Sequence, residues 1–194
     1  MVPKIPFFYS AVYDRQLLAL TGIKVDDGYF SARKKKAEKF IADFQSYEKI
    51  MELMNSFAAL LNSVWKENIT IYVIPNFHGT KAPLAFSDPT TISLEKSKEG
   101  QTIELTSKQI FLLIAHELAH VAQKQVSINL SNFNAELYLV RNHIITYALL
   151  QKTLPPELFE IEVKKSKKNA AYDKAMQIVL AQGSDKLIRE AIGK

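Results

Sequence analysis

Apolar residues recur along the first third of the chain with a helical period. Phe40, Phe44, Tyr47, Met51, Met54, Ala58, Leu61 and Trp65 follow one another at alternating spacings of four and three, a seam that predicts one long scaffold helix over about residues 32–67, capped by Ser31. Before it, a short helix is expected around Ala11–Leu20 and a turn at Asp26-Asp27-Gly28. The pattern then changes period. Ile69-Thr70-Ile71-Tyr72-Val73-Ile74 is short, β-branched and stopped by Pro75; Thr90-Thr91-Ile92-Ser93-Leu94 alternates; Thr102-Ile103-Glu104-Leu105 reads as a third strand or as a lead into the next helix. From Thr106, with Gln109 three residues on as a capping box, to about Lys124 there is neither Gly nor Pro, and the run Ile110-Phe111-Leu112-Leu113-Ile114-Ala115 predicts a central, buried helix. Helices are further expected from about Asn132 to Gln151, after Pro155-Pro156, and over 167–182 and 184–192.

The fold class expected is α+β: a long N-terminal scaffold helix, a small mixed sheet with an edge strand, a buried central helix and C-terminal helices. With 194 residues and 47% hydrophobic content, a single domain over 1–194 is expected, organised as 1–68, 69–150 and 151–194. The absence of cysteine excludes disulfides and thiolate ligands and fits a cytoplasmic setting. Ile5-Pro6-Phe7-Phe8-Tyr9 is too short and too Pro-interrupted to be a signal peptide or a membrane span, so the reading is of a soluble chain without a transmembrane segment. The net charge is +5, with local clusters at Arg33-Lys34-Lys35-Lys36 and Lys164-Lys165-Ser166-Lys167-Lys168. Neither cluster is interleaved with aromatics, so both are read as solvated helix faces and nucleic acid is not expected as a partner.

Chemistry enters inside the central helix. His116-Glu117-Leu118-Ala119-His120 is an HExxH motif, and with four histidines in the whole chain its chance occurrence is about 0.5%. Two histidines four apart on a helix point the same way, about 6 Å apart along the axis, which lets both imidazoles reach one tetrahedral Zn²⁺. Glu117 between them is placed to act as general base. Burying such a group without a partner costs several kcal/mol, and a metal removes that cost.

Together with Glu136 on the next predicted helix, this motif resembles the gluzincin metallopeptidases, and the strands just before it resemble the compact gluzincins related to the catalytic domains of membrane-embedded peptidases. The resemblance covers about residues 69–150. It implies a zincin-like fold and a zinc-dependent peptidase acting on peptide or protein substrates, with His116, His120 and Glu136 as ligands and Glu117 as the base. One position departs: where gluzincins often place an Asp four residues after the ligand Glu, this chain has Val140, so either support for a zinc histidine comes from elsewhere or Glu136 is not the ligand. His143, Glu157 and Glu160 are the other candidates for third ligand. His143, Tyr138, Arg141 and Tyr147 are candidates to stabilise a developing oxyanion, with His143 best placed in helical phase for a catalytic role. Thr91, Ile92, Ser93 and Leu94 are expected to form an edge strand that holds extended substrate through its backbone. His78 is read as a surface residue. The rival functions are a latent zincin, its cleft filled by residues 1–30 or by the C-terminal helices, and a non-catalytic basic binding protein.

Overall fold

The β-branched run after residue 69 becomes β2 (Ile71–Ile74), an interior strand of a four-stranded mixed sheet in the computed structural model, which describes residues 5–19, 22, 24–76, 85–98, 101–128, 130–133, 135 and 137–193. β2 pairs in parallel with β1 (Phe7–Tyr9) on one side and with β4 (Thr90–Ser93) on the other, and β3 (Ala85–Ser87) runs antiparallel to β4. Parallel interior strands are covered on both faces, which is why β4 is buried at every residue and β2 at three of four. A separate antiparallel pair, β5 (Glu95–Lys98) and β6 (Gln101–Glu104), follows at once.

This order corrects the placement of the expected substrate strand. Thr91 and Ile92 pair with β2 and with β3 at once, so β4 is an interior strand with its backbone groups engaged on both sides, and among the described residues the sheet's outer strands are β1 and β3. Thr91, Ile92, Ser93 and Leu94 are all buried.

The long scaffold helix is two helices. α1 (Ala11–Ala19) is followed by α2 (Asp27–Asp43), which begins five residues before the expected start; the Asp26 carboxylate, not Ser31, caps it by accepting from the Tyr29 N–H at 2.9 Å. The expected turn at Asp26-Asp27-Gly28 is therefore this helix's first turn. α2 stops at Phe44, whose ring packs 5.0 Å from Phe7 and 5.3 Å from Phe40, a tertiary contact that overrides an unbroken helical pattern. α3 (Tyr47–Leu60) ends well before residue 67 because Asn62 turns left-handed (φ 49°) and the Ser63 N–H reaches back to the Ala58 carbonyl at 2.9 Å. Trp65, expected on the helical seam, lies beyond its end and donates its indole N–H to the Met54 carbonyl.

Then come α4 (Ser107–Gln125), a 3-10 turn at Leu130–Asn132, α5 (Tyr138–Thr153), α6 (Pro156–Ser166), α7 (Ala170–Gln182) and α8 (Ser184–Ala191). Pro156 at the first helical position and Asn169 capping α7 are local signals that the sequence carries openly. α5 begins at Tyr138, later than expected; Glu136, like His78, lies outside the described residues.

The chain forms two compact units that interleave in sequence: Pro3–Glu48 with Glu67–Glu117, and Lys49–Lys66 with Leu118–Lys194. In the former, α2 packs on β1 and β2; in the latter, α5 is the hub, touching α6, α7 and α8. Among the described residues, no helix is long and apolar enough to cross a membrane.

Only part of the Arg33 to Lys36 cluster is the solvated face expected of it: Lys34 and Lys35 are exposed, whereas Arg33 and Lys36 are engaged. Arg33 is 6% exposed and grips Asp14, which is fully buried, through two of its nitrogens at 2.7 and 2.5 Å. Lys36 bridges Glu95 and Glu104.

Candidate metal centre

α4 is set by the reciprocal cap that the sequence predicts. The Thr106 N–H donates to Gln109 Oε1 at 2.9 Å and the Gln109 N–H donates to Thr106 Oγ1 at 3.3 Å. Every residue from Ile110 to His120 is buried, so this helix is enclosed on all sides through its middle three turns. Each fully enclosed aliphatic side chain, such as Ile114 or Leu118, contributes roughly 1.5–3 kcal/mol. That apolar packing fixes the rotation of α4 and hence the direction in which its polar side chains point.

His116 and His120 come out about 40° apart around the helix, with Glu117 about 60° further round. His116 is 8%, Glu117 9% and His120 7% exposed. His143 of α5, 4% exposed, joins them: one ligand nitrogen from each of His116, His120 and His143 lies within 4.8 Å of the others. The His143 ring meets His120 edge-on at 4.7 Å and is covered on its face by Tyr172 of α7, 4.2 Å away and 26° from parallel.

Hydrogen bonds orient two of these rings. His143 Nδ1 lies 2.9 Å from the Leu139 carbonyl, which can only accept, so Nδ1 carries the proton and Nε2 the lone pair. His120 Nδ1 lies 3.1 Å from Thr146 Oγ1, itself 2.7 Å from Gln123 Nε2. Thr146 is fully buried and one turn beyond His143 on α5; Gln123 is one turn beyond His120 on α4. The side chain that meets His120 from α5 is therefore Thr146 and not position 140. Sequence reading passed over Thr146 and Gln123, although both sit at helical spacing from a motif or candidate histidine.

The other sequence candidates separate clearly. Glu157 and Glu160 are exposed on α6, where the buried carboxylate is Glu162, 1% exposed and 3.4 Å from Lys165. Glu162 falls in phase with Phe159 and Ser166 on the helix's inner face, a signal that the sequence did contain. Tyr138 is 64% exposed. Arg141 is half-buried, with no hydrogen-bond partner for its Nε among the described residues. Tyr147 is buried beside His143 with ring centroids 5.7 Å apart; burial, then the nearby charge of Glu162, push its hydroxyl well above the ordinary tyrosine range, so it stays protonated.

Three buried imidazoles whose nitrogens converge, without a thiolate, are a donor set suited to a borderline cation such as Zn²⁺. Tetrahedral coordination at Zn–N of about 2.0–2.1 Å separates ligand nitrogens by about 3.4 Å, inside the 4.8 Å limit that the three nitrogens satisfy here. Comparison with known proteins returns no matching family model, no matching curated protein and no matching solved structure.

Proposed function

We propose that this protein is a zinc-dependent peptidase with His116, His120 and His143 as metal ligands and Glu117 as the proton carrier. The observation that supports this reading best is the convergence of three buried histidine nitrogens within 4.8 Å, two of them flanking Glu117 on one helix. His143, expected as an electrophile and as a rival to Glu136 for the third ligand, serves in this reading as the third ligand. Zinc, when bound, supplies Lewis acidity that polarises a carbonyl and lowers the pKa of a water. The chain's own groups do the rest. The carbonyl of Leu139 and the hydroxyl of Thr146 hold His143 and His120 in the ligating orientation. Glu117 accepts a proton from the attacking water and returns it to the leaving amine nitrogen as the C–N bond breaks. The apolar side chains that enclose α4 keep bulk water from that exchange.

Zinc content and cleavage of a quenched peptide, measured side by side on the wild type and Glu117→Gln, test the reading. The expected result is about one zinc per chain in both proteins and a fall of about 10²- to 10⁴-fold in kcat for the variant. Cleavage undiminished in Glu117→Gln would overturn the role of Glu117; zinc without cleavage in the wild type would point to a latent site.

A further inference from the structure

A hydroxyl has one proton and two lone pairs, and at Thr146 all three are assigned. Its proton goes to the Asn142 carbonyl one turn back on α5, at 3.1 Å, because a carbonyl cannot donate. One lone pair accepts from Gln123 Nε2 at 2.7 Å. The orientation of that amide is not arbitrary: the same Nε2 lies 3.3 Å from the Ala119 carbonyl, so the nitrogen must face this way, and Gln123 Oε1 is left buried without a hydrogen-bond partner among the described residues. What remains for His120 Nδ1, 3.1 Å away, is a lone pair.

We propose that Thr146, held by Gln123, is a positioning residue that locks His120 in its Nδ1–H tautomer and so presents Nε2 as the ligating nitrogen. This inference rests on the metal-site reading above and deepens it. The lock consists of hydrogen-bond bookkeeping alone and touches neither metal nor substrate. It takes over at His120 what the Leu139 carbonyl does at His143, with a difference: the carbonyl permits only one tautomer, whereas a hydroxyl permits both until its proton is committed elsewhere. Gln123 and Asn142 supply that commitment.

The experiment is two-bond ¹H–¹⁵N NMR of the imidazoles in the metal-free protein at about pH 8, alongside zinc affinity by chelator competition, for wild type, Thr146→Val and Thr146→Ser. In the wild type, His120 and His143 are both expected as Nδ1–H. In Thr146→Val, His120 moves toward the Nε2–H form while His143 stays as it is and serves as the internal control, and zinc affinity falls by about 10- to 100-fold. Thr146→Ser, which keeps the hydroxyl, restores both. Should Thr146→Val not fold, the wild-type tautomers and the serine variant still decide the matter. His120 in the Nε2–H form in the wild type, or a valine variant with unchanged tautomer and affinity, would overturn the lock. The two ideas fail separately: His120 as Nδ1–H in a protein that takes up no zinc sinks the metal reading and leaves the lock, and zinc uptake with His120 as Nε2–H does the reverse.

Discussion

Around Arg33, five N–H groups meet five acceptor contacts: Nε and Nη2 to Asp14, Nη2 to the Asn76 carbonyl, Nη1 to Asn76 Oδ1 and to the Tyr29 hydroxyl. Asn76 passes the network on to Glu95, and Glu95 to Lys36. Along α4 and α5, by contrast, three histidines bring one ring nitrogen each within 4.8 Å of the others. Both clusters are buried and polar, but they are built differently. The first alternates donor with acceptor and positive with negative charge, so it is complete as it stands. The second converges, in an arrangement that could hold a cation. A closed buried network is evidence of architecture; a convergent one is evidence of a site.

The largest effect should come from opening the closed network. Arg33→Met leaves the Asp14 carboxylate buried without its guanidinium, keeping the Tyr9 hydroxyl as a donor, and about 3–5 kcal/mol of unfolding free energy should be lost in urea titration. Replacing Asp14 by Leu in the same protein should recover most of that loss, since a buried pair exchanged for apolar groups is often neutral. Zinc affinity should not follow. If Arg33→Met abolished zinc uptake in protein that remained folded, the two clusters would not be separable in this way.

The convergent cluster should respond to metal instead. Zinc at about one hundred times its Kd should raise the unfolding free energy by about 2.7 kcal/mol, and a chelator should remove the gain. Melting curves that superimpose with and without zinc would contradict the contrast. In the closed network the pH dependence should be smaller. Burial pulls the Lys36 ammonium down, but its hydrogen bonds to Glu104 and Glu95 outweigh this and leave it above the usual lysine range; the hydrogen bond to Lys36, then its charge, hold Glu104 below the usual carboxylate range. A raised lysine contributes stability that is complete below its unfolded pKa and lost as pH rises through the folded one. A depressed carboxylate contributes above its unfolded pKa and loses its share as pH falls through the folded one. The difference in stability between wild type and Lys36→Met should therefore be a plateau from above pH 4 to below pH 10 that narrows toward both ends, and a modest one, because Glu104 is largely exposed and screened. A difference that grew in acid would reverse the assignment.

The contrast between the clusters also explains what the sequence discloses. α4 was legible end to end, because its cap, its apolar run and its histidine spacing are all local. The break between α2 and α3 was not: no Gly or Pro marks Phe44-Gln45-Ser46, and the cause is the packing of Phe44 on Phe7, a residue distant in sequence. β1 escaped notice for the same reason, since a three-residue strand is defined by its partner β2 and not by its own pattern. The interior position of β4 depended on β3, which alternation did not reveal. Within the candidate site, His116, Glu117 and His120 declare themselves by spacing on one helix, while the grouping with His143 and the role of Thr146 depend on how α5 is placed. Arg33 was misjudged because charge in sequence says nothing about burial, and Asp14 lies nineteen residues away.

The most direct test of the three-histidine centre is elemental analysis of His143→Ala beside wild-type protein, both prepared metal-replete and both shown to be folded. About one zinc per chain in the wild type and a large loss in the variant are the predicted results. Zinc retained in full by His143→Ala, or none bound by the wild type, would contradict the account.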